Sequence, residues 1–292
     1  MSLRRASGQT LLVVLWVMGL LTIAAGALTM RSAHELRLGR IPASALARKA
    51  IAQAGVHQAV AVLSADDTDG QLIDHMGETW STGIDEATGT EMFRDIAVGS
   101  GTFSIGPPGL VDEERKLPLN LATPEQLRAL IDAVQPGGVD AEAVVSAIVD
   151  WRDEPDGAVC ASMQPACHNG PLDRVEELRA IPGVPPALMT ALQPYVTVYG
   201  SGRVNVNTAP AIVLDAMGCP GSDLVAQREL EPFAAPPAEC PSGVVASSAF
   251  TASVVVSGQL GDGTAPLVAV LDRAGCVSED PHDPCILAWL PQ

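Results

Sequence analysis

Four carboxylates stand within seven residues in Asp150-Trp-Arg-Asp-Glu-Pro-Asp, and Pro155 and Gly157 bend the chain there. Asp150, Asp153, Glu154 and Asp156 are hard oxygen donors, the kind that converges on calcium. A solvated acidic loop balanced in part by Arg152 is the bland alternative. Asn120, Asn205 and Asn207 hold further amide oxygens, although each also suits the start of a helix.

The six cysteines, Cys160, Cys167, Cys219, Cys240, Cys276 and Cys285, all lie in the second half of the chain. An even number without a CxxC pair favours disulfides in an oxidising compartment. Short loops close most readily, so pairing of neighbours is expected: 160 with 167, 219 with 240, 276 with 285. Reduced, buried thiols are the other reading.

No catalytic arrangement is found. GxSxG, P-loop, HExxH and GxGxxG patterns are missing, and Cys167-His168 lacks the spaced partners of a zinc site. The chain reads as a non-enzyme.

Charge divides the molecule. Residues 1–49 carry seven basic groups against Glu35 alone, a net +6, while the other 243 residues carry −23. A body that acidic repels nucleic acid and anionic lipid, so its partners are proteins, cations or neutral groups. With 47% hydrophobic and 17% charged residues over 292, the chain is globular rather than disordered.

Between Arg5 and Arg31 no charged residue occurs, and 11–30 is nearly all apolar. Twenty helical residues rise about 30 Å, one hydrocarbon thickness. Arg4 and Arg5 set the N-terminus in the cytoplasm and the body across the membrane. Three fates suit such a segment: a signal peptide cut after Ala25-Gly-Ala, a plain anchor, or a basic leader ending at Gly8. Residues 32–64 continue as an amphipathic helix with Leu36, Ile51, Val56, Val60 and Leu63 on its apolar face, kinked or interrupted at Pro42. That continuation favours the leader, since a spanning helix running into an amphipathic one is the arrangement of pilins.

Residues 65–118 read as turns with short strands at 92–96 and 101–105. An internal repeat follows: Asn120…Leu127…Leu130 aligns with Asn207…Leu214…Met217, each Asn opening a turn before a helix. Between the two, Leu172–Leu178, Ile181-Pro-Gly-Val and Ala187–Leu192 read as helix, hairpin, helix. Pro185 and Pro186 offer no N–H to a phosphate, and Asp173, Glu176 and Glu177 flank the motif, so DNA binding is a poor reading. Strands are expected at 250–257, 267–273 and 286–290, as a small antiparallel sheet. A helix packed on such a sheet, with a large helical insertion, is an α+β fold.

Gly8-Gln-Thr-Leu-Leu-Val-Val-Leu-Trp-Val, Asp150-Trp-x-Asp, Asn169-Gly-Pro-Leu-Asp-Arg-Val-Glu-Glu-Leu-Arg and Arg203-Val-Asn-Val-Asn-Thr-Ala-Pro together resemble the minor pseudopilin K family of the type II secretion system. The resemblance implies a leader, 1–8, removed by prepilin peptidase between Gly8 and Gln9, with methylation of the new N-terminus. It implies a transmembrane helix at 9–30 that crosses the bilayer through 11–30, and an amphipathic helix with the first part of a pilin-like domain at 31–112. SAM-like, helix-hairpin-helix-like units at 113–200 and 201–245 then split that domain, and its last strands lie at 246–292. It further implies calcium in the insertion, minor pseudopilins I and J as partners, a single-pass inner-membrane location with the body periplasmic, and a role at the pseudopilus tip in protein export. Val13 stands fifth in the mature chain, where most pilins carry a Glu that this family typically lacks. The first unit reads Leu117-Pro-Leu-Asn where the family tends to an Asn-x-Asn pair. The runner-up is a membrane-anchored periplasmic binding or scaffolding protein with no filament role.

Overall fold

The computed structural model describes residues 8–66, 72–135, 139–152, 169–258, 266–277 and 285–290. Two compact units divide it, 1–50 and 51–292. Helix α1 (Gly8–Asp66) runs without interruption across Pro42, where the sequence predicts a kink or a break. Proline removes only one N–H from the ladder, and long helical stretches on both sides hold the register. In the first unit, 11–30 is apolar and fully exposed, and is the one candidate span among the described residues.

The second unit begins with the last turns of α1. Ile51, Ala52, Val56, Ala59, Val62 and Leu63 form its buried stripe, at the spacing of one helix face. Gly55 lies on the same stripe, where an added Cβ would collide with Val254. The short helix α2 (Thr79–Thr82) sets Trp80 into this core.

Strands β1 (Ile96–Val98), β2 (Gly101–Ile105), β3 (Val111–Asp112), β6 (Ala249–Gly258), β7 (Leu267–Asp272) and β8 (Ile286–Leu290) make an antiparallel sheet ordered β1-β2-β6-β7-β8, with β3 also on β6. The first strand is displaced from the expected 92–96. Asp95 sits at φ 51°, and the Met92 N–H donates to the Gly83 carbonyl, so pairing starts only at Ile96. Helix α8 (Arg273–Val277) takes Arg273 out of the strand expected to end there.

The helical insertion has a core of its own. Strand β4 (Leu117–Pro118) pairs in parallel with β5 (Val196–Thr197), and between them lie α3 (Pro124–Val134), α4 (Ala141–Arg152) and α5 (Pro186–Leu192). Thr123 and Gln126 cap α3 reciprocally, with Pro124 as its first residue. The arm before the hairpin is a 3-10 helix, Val175–Ala180, rather than the expected α-helix. Pro171 and Pro182 bracket it, leaving little room for regular i to i+4 bonding. Helices α6 (Ala211–Ala216) and α7 (Gly221–Arg228) complete the insertion, and α6 packs on α3.

Candidate functional site

The repeat read from the sequence extends to atoms. The Asn120 amide donates to the Leu172 carbonyl at 3.0 Å and accepts the Leu172 N–H at 2.8 Å. The Asn207 amide does the same to Phe233, at 3.0 and 2.8 Å. Arg152, ending α4, donates to the Leu119 and Ala122 carbonyls on either side of Asn120. Arg228, ending α7, donates to the Val206 and Ala209 carbonyls on either side of Asn207. The residues just before each Asn also pair in parallel with the end of their own unit, 117–118 with 196–197 and Asn205 with Val244. One local design is therefore used twice: an Asn clamps the backbone of a returning segment, and an Arg ties the helix end to the Asn turn.

Asn205 Nδ2 donates to Ser247 Oγ at 2.9 Å and to the Asp74 carbonyl at 3.3 Å. Asp150 is half-buried on the last turn of α4; Asp153, Glu154 and Asp156 lie outside the described residues. Cys160 and Cys167 also lie outside them. Cys219 is bonded to Cys240, and Cys276 to Cys285, the latter tying α8 to the start of β8. Gly8 and Gln9 open α1.

The insertion is rooted in the sheet domain by buried charge. Asp112 accepts the Glu114 N–H through Oδ1, and through Oδ2 the hydroxyls of Thr208 and Ser247 at 2.5 and 2.8 Å. Asp74 lies 1% exposed and receives Arg273 at 2.5 and 3.0 Å and the Ser247 N–H. Glu113 accepts from Thr197, Thr251 and Lys116, and Glu114 from Ser201 and Ser248. Five chain segments far apart in sequence thus meet through paired polar groups, which fixes the angle at which the insertion leaves the sheet.

Asp66, Asp74 and Glu78 each offer a carboxylate oxygen within 4.8 Å of the others. Arg273 already bonds to two of the three, so a metal ion would have to displace a buried guanidinium. Burial pushes Glu78 up to about 7, against hydrogen bonds from the His75 N–H and Trp80 Nε1. It raises Asp74 as well, against the pull of Arg273. Asp112 is pushed up to about 7 by burial, opposed by Thr208 and Ser247 and aided by the charge of Asp74.

A raised carboxyl holds its proton in the folded chain after the unfolded chain has lost it. Stability from Asp112 is therefore fully present below about pH 4 and declines as pH rises toward 7. Denaturant unfolding of the full-length chain in detergent is expected to show stability falling between about pH 4 and 7, by no more than ~1.4 kcal/mol per pH unit from this group. Asp112→Asn should flatten that slope; an unchanged slope assigns the dependence elsewhere.

Sequence reading missed this cluster. Its one signal is Arg273, a lone cation closing an apolar strand, whose partner Asp74 is 199 residues away.

Residues 109–201 match the family model of the type II secretion system (T2SS) protein K. Among solved structures, the fold is similar to a chain in the crystal structure of the GspK-GspI-GspJ complex from the enterotoxigenic Escherichia coli type 2 secretion system. That likeness has a TM-score of 0.64 and 16% identity, and covers 86% of this chain and 98% of that one. No curated protein matches the sequence.

Proposed function

We propose that this chain is a minor pseudopilin K, working at the tip of a type II secretion pseudopilus in protein export, with minor pseudopilins I and J as partners. The observation that carries the reading is the shared fold, which takes in both the sheet domain and the helical insertion, together with the family match over 109–201. The role is mechanical rather than enzymatic. Prepilin peptidase removes 1–8, and the new N-terminus at Gln9 is methylated. The exposed helix 11–30 is held in the inner membrane, with the body periplasmic, until packing against other subunits' helices offsets its loss of lipid. Val13, fifth in the mature chain, brings no carboxylate to neutralise the amine of a preceding subunit. A chain with no predecessor needs none, which suits the tip.

The two clamped units, taken as SAM-like, form a bulky head that stops further addition above it. Asp150, Asp153, Glu154 and Asp156 have the donor chemistry for calcium, which would neutralise the first unit's run of acids.

Gly8→Asp tests the whole reading. Intact-mass measurement of the variant is expected to show residues 1–8 retained, and secretion should fall sharply. Normal processing together with normal secretion would overturn it.

A further inference from the structure

Buried apolar residues fall into two clusters, one in α1 and the sheet domain, the other in the insertion. The chain crosses between them twice, from Leu110 to Leu117 and from Cys240 to Phe250. The seam itself is polar. Asp112, Glu113 and Glu114, all buried, stand on the first crossing, and each receives hydrogen bonds from both sides. Asp112 holds Thr208 of the insertion and Ser247 of the returning chain. Glu113 holds Thr197 and Thr251 in the same way, and Glu114 holds Ser201 and Ser248. The nearby cations are engaged elsewhere: Arg273 with Asp74 and Asp66, Lys116 with Glu113, and Arg228 with the Val206 and Ala209 carbonyls. The other titratable side chains of the junction, Asp74, Glu78, Glu113 and Glu114, are all acids.

We infer that Asp112 is a proton-operated latch on this seam: neutral, it holds the insertion against the sheet domain; ionised, it lets the insertion open as a unit with its own core intact. The Thr208 and Ser247 hydroxyls accept as well as donate, and Oδ1 keeps the Glu114 N–H in either state, so a neutral carboxyl retains its partners. An ionised one places a charge without a cation between two apolar clusters and beside Asp74, and opening the seam returns that charge to water. Burial pushes Asp112 up to about 7, so the latch is closed below about pH 4 and weakens as pH rises toward 7. The two apolar clusters are separate, so both stay covered when the seam opens, and local opening costs less than unfolding. The latch is a property of the fold and does not depend on the role in secretion.

Hydrogen exchange of the full-length chain in detergent, corrected for the intrinsic pH dependence of exchange, tests the latch. The Asp74 N–H, bonded to the Val245 carbonyl, and the Asn205 N–H, bonded to the Glu114 carbonyl, report on the seam. Their protection is expected to fall between about pH 4 and 7, by up to about tenfold per unit. At about pH 7 they should exchange at least about tenfold faster than amides inside α3 and β7. Asp112→Asn, which copies the neutral carboxyl, should hold seam protection constant over that range. Seam protection independent of pH in the wild-type chain overturns the latch, whether or not the variant folds. Seam amides that exchange no faster than those of α3 and β7 overturn it too, because the seam would then open only when the whole chain unfolds.

Discussion

Arg273→Met is expected to destabilise the folded chain by about 3–5 kcal/mol, more than any other single change to the polar junction. The guanidinium is 4% exposed, bonded to Asp74 and Asp66, and lies 4.8 Å from the Phe250 ring centre. Methionine keeps much of the volume and the contact with Phe250 but leaves Asp74 as a buried acid without its cation. Burial already raises Asp74, so in the variant it takes up a proton on folding and stability becomes steeper with pH. Asp74→Asn in the same chain should restore part of the loss, because the uncompensated charge is the main penalty. Asp66→Asn should cost under ~1 kcal/mol, since that partner is part-exposed at the end of α1. Denaturant unfolding followed by tryptophan fluorescence reads all three, since one of the four tryptophans, Trp80, stands edge-on to Phe250 at 5.0 Å. A loss below 1 kcal/mol for Arg273→Met would mean that the junction is wetter than its burial indicates.

What the sequence made legible was local. The strands expected at 250–257 and 286–290 form at Ala249–Gly258 and Ile286–Leu290, because β-branched and aromatic residues bounded by turn formers carry their own signal. The apolar stripe of α1 was readable for the same reason: Ile51, Val56 and Leu63 recur at helical spacing and all are buried. The junction was not readable. Asp74, Asp112, Asn205, Ser247 and Arg273 have no common spacing, and nothing local to any of them names its partners. Only folding brings together bonded groups separated by 42 to 199 residues. The strand expected at 92–96 failed differently, because the positive φ of Asp95 is a tertiary choice that composition does not announce.

The repeat lies between these cases, and it supports the second large prediction. Its Asn and apolar positions were visible in sequence, but the segments held by the Asn side chains were not, because Leu172 and Phe233 follow their clamps at different distances, 52 and 26 residues. Asn207→Ala is expected to cost about 2–3 kcal/mol, as two hydrogen bonds to part-buried backbone are lost with nothing to replace them. Asn120→Ala should cost less, since Asn207 is 2% exposed whereas Asn120 is only half-buried. Asn207→Asp separates the two bonds: it keeps the acceptor for the Phe233 N–H but sets an oxygen against the Phe233 carbonyl, so it should not rescue. Arg228→Met acts on the same turn through the Val206 and Ala209 carbonyls. Combined with Asn207→Ala it should cost less than the two changes separately, by about 0.5 kcal/mol or more, because a turn already released has less left to lose. Strict additivity in that double-mutant cycle would show that the Asn and the Arg hold their turn independently, and that the doubled clamp is two adjacent contacts rather than one device.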